Sequence, residues 1–358
     1  MSDALQAPFP WFGGKSRVAP LVWERFGDVP NYVEPFFGSG AVLLGRPTEP
    51  KIETVNDLDG YVANFWRAVQ HDPETVAYWA DNPVNENDLH AREAWLLQFR
   101  EELPARLEGD PDYYDAKIAG WWCWGICCWI GGGWCSGQGP WHIKDGKLVC
   151  TSEPRAGTRR KRVHLGDSGM GVNRRLVHLG DEGMGTRRRL VHLSDSGMGV
   201  NRQLVHAGRG LDEWMERLAA RLRFVRVCCG DWSRVCGPSP TTKLGLTGMF
   251  LDPPYGAEAQ RDDALYSQDS LSVAAQVREW AIAHGDDPKM RIALCGYEGE
   301  HDMPDSWQVV DWKAKGGYGN QGNGRGRANA YRERIWFSLH CLQPDRAEPA
   351  RLLFEEVG

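Results

Sequence analysis

Apolar and polar positions along the chain alternate between helical and extended spacing. Val18, Leu21, Val22 and Phe26 recur at the three- and four-residue intervals that line one helix face. An extended run near Tyr32-Val33 leads directly into Glu34-Pro35-Phe36-Phe37-Gly38-Ser39-Gly40. A second run, Ile52 to Val55, ends at Asn56-Asp57, and helical spacing resumes through Tyr61, Phe65 and Val69. Far downstream, Phe224-Val225-Arg226-Val227, Met249-Phe250-Leu251, Ile292-Ala293-Leu294 and Arg334-Ile335-Trp336-Phe337 read as buried strands, the last reaching Leu339. Strands separated by helices predict a mostly parallel, doubly wound α/β sheet.

The middle of the chain has a different texture. Asn87 to Leu103 reads as one helix. Trp121 to Trp141 holds six tryptophans, at 121, 122, 124, 129, 134 and 141, and reads as the apolar core of a loop-rich module. One or two of these rings are also suited to stacking on bases. Cys123, Cys127, Cys128 and Cys135 form no paired C-x-x-C units, so no zinc site is expected. Val163-His164-Leu165 then recurs as Val177-His178-Leu179, Val191-His192-Leu193 and Val205-His206-Ala207, a period of 14 residues. Its histidines read as packing or surface positions rather than metal ligands.

Charge sharpens this division. The whole chain carries −6, yet Glu153 to Gly210 holds 12 Lys/Arg against 5 Asp/Glu, a local +7 that leaves −13 for the remainder. One basic patch on an acidic body points to a polyanionic partner. Within the repeats, Arg174, Arg175, Arg187, Arg188, Arg189 and Arg202 return at one phase of the period, so they are expected to line one edge and neutralise phosphates, a few reading guanine edges. The glycine-rich stretch Gly316 to Arg327 brings Arg325 and Arg327 as further candidate phosphate contacts. No basic-then-apolar leader opens the sequence and no 18-residue apolar run occurs, so a soluble cytoplasmic chain without a membrane partner is expected. With no such leader, the ten cysteines read as reduced thiols.

Asp252-Pro253-Pro254-Tyr255 follows an apolar run, at a strand's C-terminal end, where open α/β sheets place their sites. An exocyclic amine conjugated to a base ring is a poor nucleophile, because its lone pair is delocalised. A carboxylate oxygen and the first proline's carbonyl can accept its two N–H bonds and aim that lone pair at an incoming carbon. The double proline fixes the backbone, and the tyrosine offers a face to a flipped base. Upstream, Gly38 and Gly40 after a strand let the backbone approach a nucleotide-like ligand. Asp57, 19 residues past Gly38, is placed to hold a ribose diol. The absence of G-x-G-x-x-G disfavours NAD.

Together these features resemble the Dam-like DNA adenine-N6 methyltransferases. Pro10-Trp11-Phe12-Gly13-Gly14-Lys15 is similar to the family's opening motif, Glu34 to Gly40 to its cofactor loop, Asn56-Asp57 to its ribose-binding acid, and Asp252 to Tyr255 to its catalytic tetrapeptide. Gly230-Asp231-Trp232 is similar to the acid near the cofactor's adenine. The resemblance covers Pro8 to Lys51 and Phe224 to Tyr255 well, and the C-terminal part loosely. It implies a Rossmann-like methyltransferase fold, with a catalytic domain from residues 1–80 and 222–358. A DNA target-recognition insert is expected at 81–221, containing the repeats at 163–206. It implies S-adenosylmethionine as cofactor, held by Trp11, Lys15, Glu34, Phe36, Gly38, Gly40, Asp57, Asp231 and Asp252. The catalytic residues would be Asp252, Pro253, Pro254 and Tyr255, with no metal and no covalent enzyme intermediate. Double-stranded DNA is the implied partner, and a cognate restriction endonuclease would fit a restriction-modification role. Trp121 to Trp141 stands where the family has its recognition hairpin and the repeats are extra, so the family's G-A-T-C specificity does not carry over. Cytosine-N4 methylation uses the same tetrapeptide chemistry, and a catalytically inactive DNA-binding relative is the rival of another class. The basic insert disfavours RNA or protein amides, and intact Asp57, Asp252 and Tyr255 disfavour the inactive relative.

Overall fold

The computed structural model describes residues 5–11, 15–129, 133–137, 141–150, 207–254, 268–312 and 332–344. In chain order these form α1 (Ala19–Phe26), β1 (Asn31–Glu34), α2 (Ala41–Leu44), β2 (Ile52–Asp57), α3 (Gly60–His71), α4 (Pro73–Ala80), α5 (Glu86–Leu96), α6 (Glu102–Gly109) and α7 (Ala116–Cys128). A hairpin of β3 (Trp141–Lys144) and β4 (Lys147–Cys150) follows. Then come α8 (Ala207–Leu222), β5 (Val225–Cys229), β6 (Thr247–Leu251), α9 (Gln268–His284), β7 (Met290–Tyr297), β8 (Gln308–Asp311) and β9 (Glu333–Phe337). Asp59, Asp72, Asn85 and Asp115 each cap the helix that follows, accepting an N–H from Tyr61, Thr75, Asp88 and Ile118 respectively.

One sheet runs in the order β5-β2-β1-β6-β7-β9-β8. β5, β2, β1, β6 and β7 are mutually parallel, whereas β9 enters antiparallel beside β7 and pairs antiparallel with β8. The fold is therefore mixed α/β with a mostly parallel sheet. From β1 the chain first builds outward through β2 to β5, then returns to β6 on the other side. Between β1 and β6 lies the topological switch point.

Both faces of the central strands are covered, which is why β6 and β7 read as apolar runs. Met249, Leu251, Ile292 and Leu294 pack with Val277 and Ala281 of α9, while Phe250, Ala293 and Cys295 point to the opposite face. That second face carries α1, α3, α4, α7 and α8 in one continuous cluster with Trp66, Trp122 and Trp124. At the β5 edge, the carbonyls of Val225, Val227 and Cys229 accept side-chain bonds from Gln70 (2.9 Å), Arg67 (3.1 Å) and Arg234 (2.7 Å). Alternate carbonyls are thus occupied and the edge is blunted against another strand. Glu53 of β2 lies buried between Arg46 (3.2 Å) and Arg221 (2.6 Å), and the latter anchors the end of α8 on β2.

Four local expectations are corrected. Asn87 to Leu103 is not one helix: α5 stops at Leu96, a 3-10 turn spans Leu97–Phe99, and α6 restarts at Glu102. Pro104 explains the break, since it lacks an N–H and its ring would clash with the carbonyl of residue 100 in a continuous helix. The stretch after Trp121 is helical as far as Cys128 rather than loop-rich. Its glycines serve close packing: a Cβ at Gly120 would lie 2.8 Å from the Val76 carbonyl of α4, and one at Gly125 would overlap the Trp134 ring. Phe224 is not in a buried strand but 81% exposed, because α8 ends at Leu222 and two residues turn the chain before β5. Finally, β9 ends at Phe337, and Leu339 is exposed beyond it. The hairpin turn at Asp145-Gly146 has φ values of 51° and 71°, the left-handed geometry that an Asp-Gly pair favours. The 14-residue repeats and Gly316 to Arg327 lie outside the described residues. Among the described residues, no helix is long and apolar enough to cross a membrane.

Candidate active site

The switch point brings the C-terminal ends of β1 and β6 side by side, and open α/β sheets bind ligands in the crevice outside such ends. From β1, Glu34-Pro35-Phe36-Phe37 leads to Gly38 and Gly40, at φ 47° and 62°. Both values lie in the left-handed region where a side chain is strained. A Cβ at Gly38 would overlap the Trp11 indole, so that ring lies directly against the glycine backbone. From the other side, Trp66 Nε1 donates to the Gly38 carbonyl at 2.8 Å.

Asp57, at the end of β2, ties this loop down. Its Oδ2 accepts the Gly38 N–H at 2.8 Å and its Oδ1 the Asp59 N–H at 2.9 Å. Burial, reinforced by the neighbouring Asp59 charge, raises its carboxyl to about 7, and the backbone bonds only partly offset that. Asn56 donates to the carbonyls of Pro35 (3.1 Å) and Gly230 (2.9 Å), joining the loops after β1, β2 and β5. In the last of these loops Asp231 accepts the N–H (3.0 Å) and hydroxyl of Ser233 and caps the turn Trp232–Val235. Trp232 stacks on Phe36 with ring centroids 6.3 Å apart.

Across the switch point the chemistry is ionic. Lys15 Nζ lies 3.1 Å from Asp252 Oδ1 and 3.6 Å from Glu333 Oε2, and 5.0 Å from the Trp312 ring centroid. The Lys15 side chain is only 7% exposed. Burial opposes its charge, but Asp252 and Glu333, among its neighbours, outweigh burial and hold the ammonium above the usual lysine range. Pro253 is buried and Pro254 half-buried. Glu34 lies beneath, buried, accepting the Tyr32 hydroxyl at 2.8 Å. Burial pushes its carboxyl well above the usual carboxylate range.

The sequence-predicted residues therefore fall into groups. Trp11, Gly38 and Asp57 converge on one side of the switch point, and Lys15 meets Asp252 on the other. Phe36 and Asp231 are joined through Trp232, Gly40 shapes the loop, and Glu34 faces inward. Tyr255, Arg174, Arg175, Arg187, Arg188, Arg189, Arg202, Arg325 and Arg327 lie outside the described residues. Sequence reasoning passed over Trp66, Trp312 and Glu333. Asn56 was noted only as the neighbour of Asp57, and its two carbonyl bonds depend on loops distant in sequence, whereas Glu333 belongs to no motif. A cavity of about 450 Å³ also lies along β5, between Arg67, His71, Glu108 and Arg234. Its lining contains none of the switch-point carboxylates, so shape and chemistry diverge here, and the polar convergence identifies the site.

Residues 11–108 match the family model described as D12 class N6 adenine-specific DNA methyltransferase. This part of the chain is thus similar to DNA adenine methyltransferases. The match includes Trp11, Lys15, the glycine loop and Asp57, and ends before Asp231 and Asp252. No curated protein sequence matches the chain.

Proposed function

We propose that the protein transfers a methyl group from S-adenosylmethionine to the exocyclic N6 of adenine in double-stranded DNA. The observation that carries this reading is the placement of Asp252, held by Lys15 at 3.1 Å, directly across the switch point from the glycine loop and Asp57. A carboxylate with its own buried counter-ion thus faces a loop suited to an adenosyl group.

The residues fit that cofactor. Asp57 offers carboxylate oxygens to a ribose diol, and Gly38 leaves the room that a side chain would fill between backbone and Trp11. Trp11, Phe36 and Asp231 complete the proposed cradle, with Gly40 and Glu34 shaping it from below. S-adenosylmethionine supplies an electrophilic methyl carbon. Asp252 accepts one N–H of the target amine and the Pro253 carbonyl the other, drawing the nitrogen lone pair out of conjugation. The Asp252 carboxylate, held by Lys15 at 3.1 Å, would face the positive charge that develops on nitrogen as the new N–C bond replaces the methyl–sulfur bond. The surplus amine proton would leave to solvent. Tyr255 is proposed to stack on the extruded base.

The proposed organisation is a catalytic domain of residues 1–80 and 222–358 with a recognition insert at 81–221. Its repeat arginines, Arg174, Arg175, Arg187, Arg188, Arg189 and Arg202, would neutralise backbone phosphates, with Arg325 and Arg327 doing the same from the C-terminal side. The test is nucleoside mass spectrometry of duplex DNA incubated with the full chain and methyl-labelled S-adenosylmethionine. N6-methyladenine is expected. N4-methylcytosine alone would overturn the substrate, and no incorporated methyl would overturn the enzyme reading.

A further inference from the structure

We infer that Glu333 is a positioning residue for methyl transfer, acting through Lys15 on the charge that Asp252 presents to the target amine. The inference rests on the reading proposed above for Asp252.

Lys15 stands between two carboxylates that belong to different parts of the sheet. Asp252 follows β6, whereas Glu333 opens β9, opposite Tyr297 of β7 in the pairing register. The Asp252 side chain is 20% exposed and Glu333 only 4%. Of the two carboxylates Asp252 is therefore the more open to a substrate, and Glu333 is joined to it through the ammonium. The seat is fixed on a third side by Trp312, whose ring lies over Lys15 and whose backbone N–H donates to the Glu333 backbone carbonyl at 3.3 Å.

Charge counting explains what the second carboxylate does. Lys15 with Asp252 alone would be a neutral pair, and a buried ammonium with one partner would quench the acceptor that must face the amine. Sharing the ammonium with Glu333 leaves the trio at a net charge of about −1. That net charge is what a nitrogen turning cationic in the transition state needs nearby. The other titratable groups close by do not add to it. Burial holds both the Glu34 carboxyl and the Cys295 thiol above their ordinary ranges, favouring their neutral forms. Arg334, next along β9, is engaged with Glu298 (3.1 Å) and Asp311 (3.0 Å).

Glu333→Gln keeps the volume and a hydrogen-bonding group while removing the charge. Single-turnover methyl transfer should slow by about tenfold, less than deletion of a group that touches the reacting atoms. S-adenosylmethionine affinity should stay within about twofold and KM for DNA should change little. Glu333→Asp, which keeps the charge, should stay within about threefold of the wild type. An unchanged rate in folded Glu333→Gln overturns the inference and leaves the methyltransferase reading intact. So does Glu333→Asp as slow as Glu333→Gln, or a Glu333→Gln that cannot fold, since either makes the role one of packing. If the wild type transfers no methyl group, the underlying reading fails and this inference falls with it.

Discussion

The two sides of the switch point are built by different physics. On the β1–β2 side, the work is done by backbone: two left-handed glycines, a carbonyl bonded to Trp66, and N–H groups directed at Asp57. Its polar residues lie within a short stretch of chain, and Trp11 closes over them. On the β6–β9 side, two carboxylates, at positions 252 and 333, meet around the buried ammonium of Lys15. The first arrangement is a shape, suited to admitting a ligand edge-on. The second is a charge balance, suited to a reaction in which charge moves. Perturbing each side should therefore leave different signatures.

Lys15→Met should have the largest effect, because it strips the counter-ion from two poorly solvated carboxylates. Breaking a buried ion pair from one side costs about 3–5 kcal/mol. Denaturant melts of both proteins at neutral pH check this, and a deficit below about 1 kcal/mol would mean that Lys15 does not offset the two carboxylates.

Asp252→Ala should spare the fold, since Lys15 keeps Glu333 at 3.6 Å, and strike the chemistry instead. Loss of one preorganised group at a reacting centre costs about 10²- to 10³-fold in rate. Single-turnover transfer with saturating cofactor measures it, and near wild-type rates would remove Asp252 from the catalytic assignment.

Gly38→Ala tests the shape side. The substitution places a methyl against the Trp11 indole at a φ of 47°. A non-glycine residue there costs about 1 kcal/mol of strain before any displacement of the ring. Cofactor affinity should weaken by about tenfold, roughly 1.4 kcal/mol, with the transfer rate at saturation nearly unchanged. A variant that binds normally but transfers slowly would reverse the proposed division of labour.

The same contrast governs what could be read from the sequence. β6 and β7, buried on both faces, announced themselves as apolar runs, and β1 and β2 were legible from the shorter extended runs at Tyr32-Val33 and Ile52 to Val55. β8, whose residues alternate between half-buried and exposed, left no comparable run. Gly120 and Gly125 lie inside α7 as points of close packing, a role that only the partner, Val76 or Trp134, reveals. Pro104 and Asp145-Gly146 did carry local signals, for the helix restart and for the hairpin turn. In the site, the meeting of Asp57 with the glycine loop was legible because both stand at the ends of strands close in sequence. Lys15 and Asp252 could be named from short motifs, but their pairing could not, since it is a meeting of distant strand ends. Glu333 is an acid at the start of a strand, and nothing local separates it from an exposed one.

An effect no larger than that at Gly38 concerns Asp57, where the shape side carries its own titration. The ordinary carboxyl value is 3.8, and burial raises Asp57 to about 7. A raised acid binds a proton more tightly in the folded chain than in the unfolded one. Its contribution to stability is therefore fully present below about pH 4 and is lost as pH rises through about 7. Ligand binding runs the other way. An ionised Asp57 is the better acceptor for ribose hydroxyls, so cofactor binding should displace the proton and strengthen as pH rises. With one proton released and a midpoint near 7, S-adenosylmethionine affinity should fall by about tenfold between pH 8 and pH 6. Asp57→Asn should bind more weakly at pH 8 and lose this pH dependence, and subtracting its profile from the wild-type one removes the ligand's own titration. Calorimetric affinities at four or five pH values decide the matter. Parallel profiles for the two proteins would show that Asp57 keeps one protonation state across the range, and would leave the fold and the glycine loop to hold the cofactor without it.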